Sequence, residues 1–222
     1  MPKRILHSDP HRRFNSLLTP REAQRIARLT TPYKIQQYLD SIDYSEEIRY
    51  RCPLNVVKDQ KGHCFDGAVF AAAMLRRIGY EPLLVDILPN ENDDDHVLAV
   101  FRQRGHWGAV AKSNFSGLRY REPVFRSVRE LVLSYFEDFF NSLGEKTMRG
   151  YTRPLNLAPF DPIGWLVRDE ALDAIGDRLD EIRKFKVLTP AMIRGLSYAD
   201  ERSVKAGLLG ARADGLFKPK KG

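Results

Sequence analysis

The segment from Cys64 to Ile78 constrains the fold of this chain more than any other. Alanine stands at 68, 71, 72 and 73, and no charged residue occurs between Asp66 and Arg76. A helix of this composition belongs in the interior, because small side chains at 71–73 let neighbouring elements pack close to its axis. Ala68, Ala71, Leu75 and Ile78 form one face with Cys64 at its head. The turn Lys61-Gly62-His63 precedes it, so Cys64 stands at a helix N-terminus, and Gly79 follows as a C-terminal cap. Unpaired backbone N–H groups and the positive end of the helix dipole favour a thiolate there. A single buried cysteine is ordinarily a small core residue. The glycine turn, the helix start and His96 downstream point instead to a nucleophile activated by a histidine.

With 222 residues and 43% hydrophobic content the chain can bury a substantial core. No apolar run approaches the roughly 20 residues of a membrane helix. The segment Met1–Pro10 carries charges but no apolar signal core, so no secretory peptide is read there. Two cysteines, Cys52 and Cys64, make no disulfide framework, although a bond between them would silence the nucleophile; they suit a reducing cytoplasm. The net charge of +7 would suit an anionic partner, yet basic residues alternate with acids. The one clean basic block is Lys218-Pro219-Lys220-Lys221, read as a floppy tail, and nucleic acid is a lesser reading.

Thr19-Pro20 and Thr31-Pro32 each open a helix, reaching Leu29 and Ser41. Residues 43–61 read as an irregular lead-in. Leu83–Leu88 reads as a buried strand, and His96–Arg102 with Trp107–Lys112 as an antiparallel hairpin about Gln103–His106. A turn near Arg104-Gly105 sets residues 112–114 beside His96. Ser127 caps a helix to Phe140; a proline-rich connector spans 154–162; a helix runs from Asp169 to Phe185, and Thr189-Pro190 begins a last one. The units expected are an N-terminal helical segment (1–50), a core (51–150), a C-terminal helical lobe (151–210) and a loose basic tail (211–222). The fold class expected is α+β, with the Cys64 helix packed on an antiparallel sheet.

The string Lys61-Gly62-His63-Cys64-Phe65-Asp66-Gly67-Ala68, the helix ending Leu75-Arg76-Arg77-Ile78-Gly79, and His96 entering a hairpin strand resemble the transglutaminase-like, papain-like cysteine superfamily. The resemblance covers about Leu54 to Phe115. Residues 116–140 and the C-terminal helices resemble an uncharacterised bacterial branch of it. The resemblance implies Cys64 as nucleophile and His96 as base. It also implies an aspartate shortly after the tryptophan of the next strand, where this chain has Trp107 followed by Lys112-Ser113-Asn114 and no carboxylate. Asn114 is the substitute of choice, since an amide oxygen can accept the imidazole N–H; Ser113 is the weaker one. Lys112 facing His96 would oppose imidazolium and silence the site. Oxyanion candidates are the Cys64 backbone N–H and Gln60, the latter also readable as a surface glutamine.

The implied function is thiol-dependent acyl transfer or amide hydrolysis on a peptide or protein, without cofactor. The alternative is a catalytically inactive relative that binds a peptide or protein partner through the same cleft. Residues 63, 64 and 93–96 offer metal-ligand types, but no spacing matches a structural zinc site, and no metal is assigned. His63 reads as exposed, and Asp93-Asp94-Asp95 as a solvated loop.

Overall fold

A computed structural model of the protein describes residues 10–218. Residues 1–9 of the expected N-terminal segment and 219–222 of the expected basic tail lie outside those residues. Three helices come first: α1 (Pro10–Ser16), α2 (Pro20–Ala27) and α3 (Pro32–Ser41). Thr19 and Glu22 cap α2 reciprocally: the Thr19 N–H donates to Glu22 Oε2 at 2.7 Å, and the Glu22 N–H to Thr19 Oγ1 at 3.3 Å. The lead-in expected to be irregular holds more structure than that. Strand β1 (Asp43–Tyr44) pairs in parallel with β2 (Lys61–Gly62), and α4 (Pro53–Asp59) lies between them with Pro53 in its first turn. Proline there marks a helix start, because the missing N–H is one a first turn leaves unpaired.

Helix α5 (Cys64–Arg77) is buried from Phe65 to Leu75. It covers one face of an antiparallel sheet ordered β6 (Arg121–Phe125), β5 (His106–Val110), β4 (His96–Gln103), β3 (Leu83–Leu88), β7 (Gly150–Thr152), β9 (Lys184–Lys186), with β8 (Leu155–Asn156) also on β3. The chain is therefore mixed α and β, with an antiparallel sheet between two cores. Alternation sorts the strands: Leu84, Val97, Ala99 and Phe101 face α5, while Val85, Ile87, Leu98 and Val100 face the second core, with Tyr135 and Phe139. Trp165 and, from α7 (Ala171–Glu181), Leu172, Ile175 and Leu179 enter the same core as α5.

Two expected helices are shorter. From Ser127, whose hydroxyl accepts the Glu130 N–H, α6 runs only from Val128 to Leu133. It stops where Ser134 Oγ takes the Leu131 carbonyl and Tyr135 Oη reaches back to Arg119 O, and a 3-10 turn follows at Phe136–Asp138. Beyond α7 the Lys-Phe-Lys of β9 alternates as an edge strand, with Phe185 stacked on Tyr151 at 5.3 Å between ring centroids. Gly150 permits that pairing, since a Cβ there would stand 2.7 Å from the Phe185 carbonyl oxygen. Two further short helices, α8 (Pro190–Arg194) and α9 (Glu201–Gly207), precede the final turn at Ala213–Gly215. Among the described residues no helix is long and apolar enough to cross a membrane.

Candidate active site

Strand β5 ends at Val110, opposite Ala99. The Gln36 side-chain amide ends it: Nε2 donates to the Ala111 carbonyl at 2.9 Å and Oε1 accepts the Ala111 N–H at 3.0 Å. The start of β4 is thus left without its β5 neighbour, and the N-terminus of α5 meets it there. Cys64 Sγ lies 3.9 Å from the Asp95 carbonyl oxygen, and the Val97 N–H is close enough to favour a thiolate. The thiol's contacts therefore fall on the backbone either side of His96. They do not run to its ring.

His96 is 4% exposed, and its Nε2 lies 2.7 Å from the Leu118 carbonyl oxygen. A carbonyl can only accept, so the proton of the neutral ring sits on Nε2 and the lone pair on Nδ1. Burial lowers the ring to about 4. Cys64 moves the other way. The sequence places it where a helix end favours thiolate, but burial raises the thiol well above its usual value, and Asp95, Asp86 and Asp66 oppose the negative charge further. At neutral pH the resting pair is thiol and imidazole, both uncharged.

Cys64 and His96 line one cleft of about 780 Å³ together with Tyr44, Ser113 and Asn114. Ser113 Oγ accepts the Phe115 N–H at 3.0 Å, and the Asn114 amide is bonded to the backbone of Arg212, so neither side chain bonds to His96. Lys112 points elsewhere too, its Nζ donating to the carbonyls of Leu39 at 2.7 Å and Ile42 at 2.6 Å. Gln60 caps α4 in the left-handed region at φ 50°, and its Nε2 donates to Tyr38 Oη at 2.7 Å and Val57 O at 2.5 Å. It does not line the cleft. The group beside the Cys64 backbone N–H is the Tyr44 hydroxyl. Nothing in the sequence near Tyr44 signals this, because the β1–β2 pairing, Tyr44 opposite Gly62, is what carries it there.

His63, expected to be exposed, is 16% exposed in its side chain; its Nε2 lies 3.4 Å from Asp66 Oδ1, and burial followed by Arg51 lowers the ring to about 4. Asp66 receives the His63 N–H at 3.2 Å and the Arg51 N–H at 2.8 Å, tying the turn before Cys64 to α5. Both cysteines are free; Cys52 is buried, and burial pushes its thiol up to about 12. Among the described residues no three His, Cys, Asp or Glu side chains converge on a point that could hold a metal ion.

No family model matches the sequence, and no curated protein matches it. Among solved structures the chain is similar to LapG of Legionella pneumophila, with a TM-score of 0.39 and 12% identity over 76% of this chain and 93% of LapG. The EGTA-treated form of LapG gives a TM-score of 0.39 and 12% identity, over 75% of this chain and 94% of that one. At that distance no residue of LapG is carried across, and the site rests on its own geometry.

Proposed function

We propose that the chain is a thiol-dependent acyl-transfer or amide-hydrolysing enzyme acting on a peptide or protein, on a transglutaminase-like, papain-like core. One observation carries the reading. The N-terminal cysteine of a buried helix meets the strand backbone on both sides of a histidine, and the two residues share a cleft large enough for a peptide segment. With the Nε2 proton held by Leu118 O, Nδ1 is the basic nitrogen. It would take the Cys64 proton as Sγ attacks the amide carbonyl, forming the S–C bond. The oxyanion would be met by the Cys64 N–H and the Tyr44 hydroxyl. The proton on Nδ1 then passes to the leaving amine as the C–N bond breaks, and water or a second amine releases the acyl group. In this scheme the Leu118 carbonyl fills the orienting role that the sequence gives to Asn114. The two free cysteines support a reducing, cytoplasmic setting.

A second reading, a cleft that binds without reacting, is favoured by one observation: the thiol is held protonated and bonded to the Asp95 carbonyl. Alkylation of Cys64 by iodoacetamide across pH 5–10, on a Cys52→Ser background, separates the two. A rate that falls several-fold in His96→Ala at every pH supports the enzyme. A slow rate indifferent to His96 removes it and leaves the binding reading.

A further inference from the structure

The chain carries 36 Lys and Arg against 29 Asp and Glu, yet the cleft that holds Cys64 and His96 reverses that balance. Among the described residues that line it, ten are Asp or Glu and none is Lys or Arg. They come from separate parts of the fold: Glu46 and Glu47 from the loop before α4, Asp93–Asp95 from the β3–β4 loop, Asp86 from β3, Asp173, Asp177 and Asp180 at helical spacing on α7, and Asp214 from the final turn. Some are already balanced, as Glu47 is by Arg51 and by Lys61 at 3.0 Å. Others are not. Among the described residues Asp94, Asp95, Asp173 and Asp177 have no ion-pair partner, and Asp180 has only Lys184 at 3.9 Å.

Asp86 sets the cleft apart from a solvated acidic surface. It is 2% exposed, on the sheet face toward α5, and its Oδ1 has no hydrogen-bond partner among the described residues. An orphaned carboxylate oxygen in that position is costly, and folded proteins ordinarily supply such an atom with a partner. The carboxylates are also too dispersed to chelate one metal ion. Extended cationic side chains several ångströms apart match that dispersal better than a point charge does.

We propose that this cleft selects a polypeptide bearing lysine or arginine beside the reacting amide, with one ammonium or guanidinium group seated against Asp86 Oδ1 and Asp95 and further basic residues along the Asp173–Asp177–Asp180 face of α7. The inference rests on the proposed acyl-transfer reading for its substrate but not for its binding. Burial is the main cause that keeps the thiol protonated. Two of the carboxylates that oppose a thiolate further, Asp95 and Asp86, are ones a bound cation would offset, so substrate shifts the nucleophile toward thiolate.

The test uses the full chain as Cys64→Ala and three fluorescein-labelled decapeptides, identical except that four positions are Lys, Gln or Glu. Fluorescence anisotropy at low salt should show the Lys peptide binding at least about tenfold more tightly than the Gln peptide, with the Glu peptide weakest. Asp86→Asn and, separately, Asp177→Asn/Asp180→Asn should each reduce Lys-peptide binding several-fold. Glu170→Gln/Glu201→Gln, outside the cleft, should not. Circular dichroism checks folding, and the α7 pair decides the matter alone if Asp86→Asn does not fold. Equal binding of Lys and Gln peptides, or equal loss in cleft and off-cleft variants, overturns the proposal. Binding as expected, with no turnover of the Lys peptide by the native chain, would overturn the acyl-transfer reading and leave this inference standing.

Discussion

The Asn114 side chain grips the backbone of Arg212 from two sides, Nδ2 donating to its carbonyl and Oδ1 accepting its N–H, each at 2.8 Å. The contact joins residues far apart in sequence, and it has a steric consequence. The turn that follows, Ala213–Gly215, lies against Tyr44: a Cβ on Gly215 would stand 2.8 Å from Tyr44 Cδ1. Asp214, Leu216 and Phe217 line the cleft that holds Cys64. Asn114 thus acts as a clasp on a segment that lines the same cleft as the nucleophile.

Asn114→Ala should release that segment. Two exposed hydrogen bonds contribute about 1–2 kcal/mol together, so amide exchange at 212–217 should accelerate several-fold and Cys64 should alkylate faster. If Asn114 instead orients His96, the same substitution would slow alkylation. Exchange by mass spectrometry and the alkylation rate together decide between the two roles.

His96 is neutral in the fold for a reason that can be titrated. Its ring is lowered from 6.5 to about 4 by burial, so the unfolded chain takes up the proton first as pH falls. The ring's contribution to stability is complete above about 6.5 and is lost as pH drops toward 4, a difference of about 3 kcal/mol. Asp66, raised to about 7, and Asp93 and Asp95, raised to about 6, work in the opposite direction and flatten the whole-protein curve. The ring therefore has to be read by difference. Native minus His96→Gln, from thermal melts between pH 4 and 8, should decline on acidification. Parallel curves would show that the ring does not titrate as its burial implies.

Asp86 has the reverse sign. Burial, then Asp95, raises its carboxyl well above the usual carboxylate range. A carboxyl raised in this way favours folding only while it is protonated, fully below its ordinary value of about 4, and the benefit disappears as pH rises through the folded value. Asp86→Asn should therefore stabilise the chain by about 1–3 kcal/mol at pH 8 and by little near pH 4. A variant equally or less stable at pH 8 would mean that Oδ1 finds a partner in solution.

The sequence made local features legible and left distant ones hidden. Thr19, Thr31, Ser127 and Thr189 cap helices, because an N-cap is a contact between neighbours in the chain. The β4–β5 hairpin is legible from its tight turn and alternating residues for the same reason. Three groups at the site could not be read this way. Tyr44 reaches Cys64 through a two-residue parallel pairing, Leu118 contributes a main-chain carbonyl that no side chain announces, and Asn114 is drawn off by a segment almost a hundred residues later. The end of the Asp169–Phe185 helix was hidden for a similar reason, since Lys184–Lys186 is claimed by a pairing with Gly150–Thr152. In each case the deciding contact is long-range, and hydrophobic periodicity carries no information about it.

The seating of α5 on the end of β5 rests on one close approach. A Cβ on Gly67 would stand 2.2 Å from Lys112 Cβ, an atom fixed to the backbone that cannot swing aside. Gly67→Ala should force helix and strand apart and cost about 1–3 kcal/mol, carrying Cys64 away from Asp95 and Val97 with it. Lys112→Gly alone should also destabilise, because the buried carbonyls of Leu39 and Ile42 lose their ammonium donor. Combined, the two changes remove the clash, so the double variant should be more stable than the sum of the single costs predicts. Urea unfolding of the four proteins measures the coupling. Strict additivity would mean that the strand end yields freely and that Gly67 is not what holds Cys64 against β4.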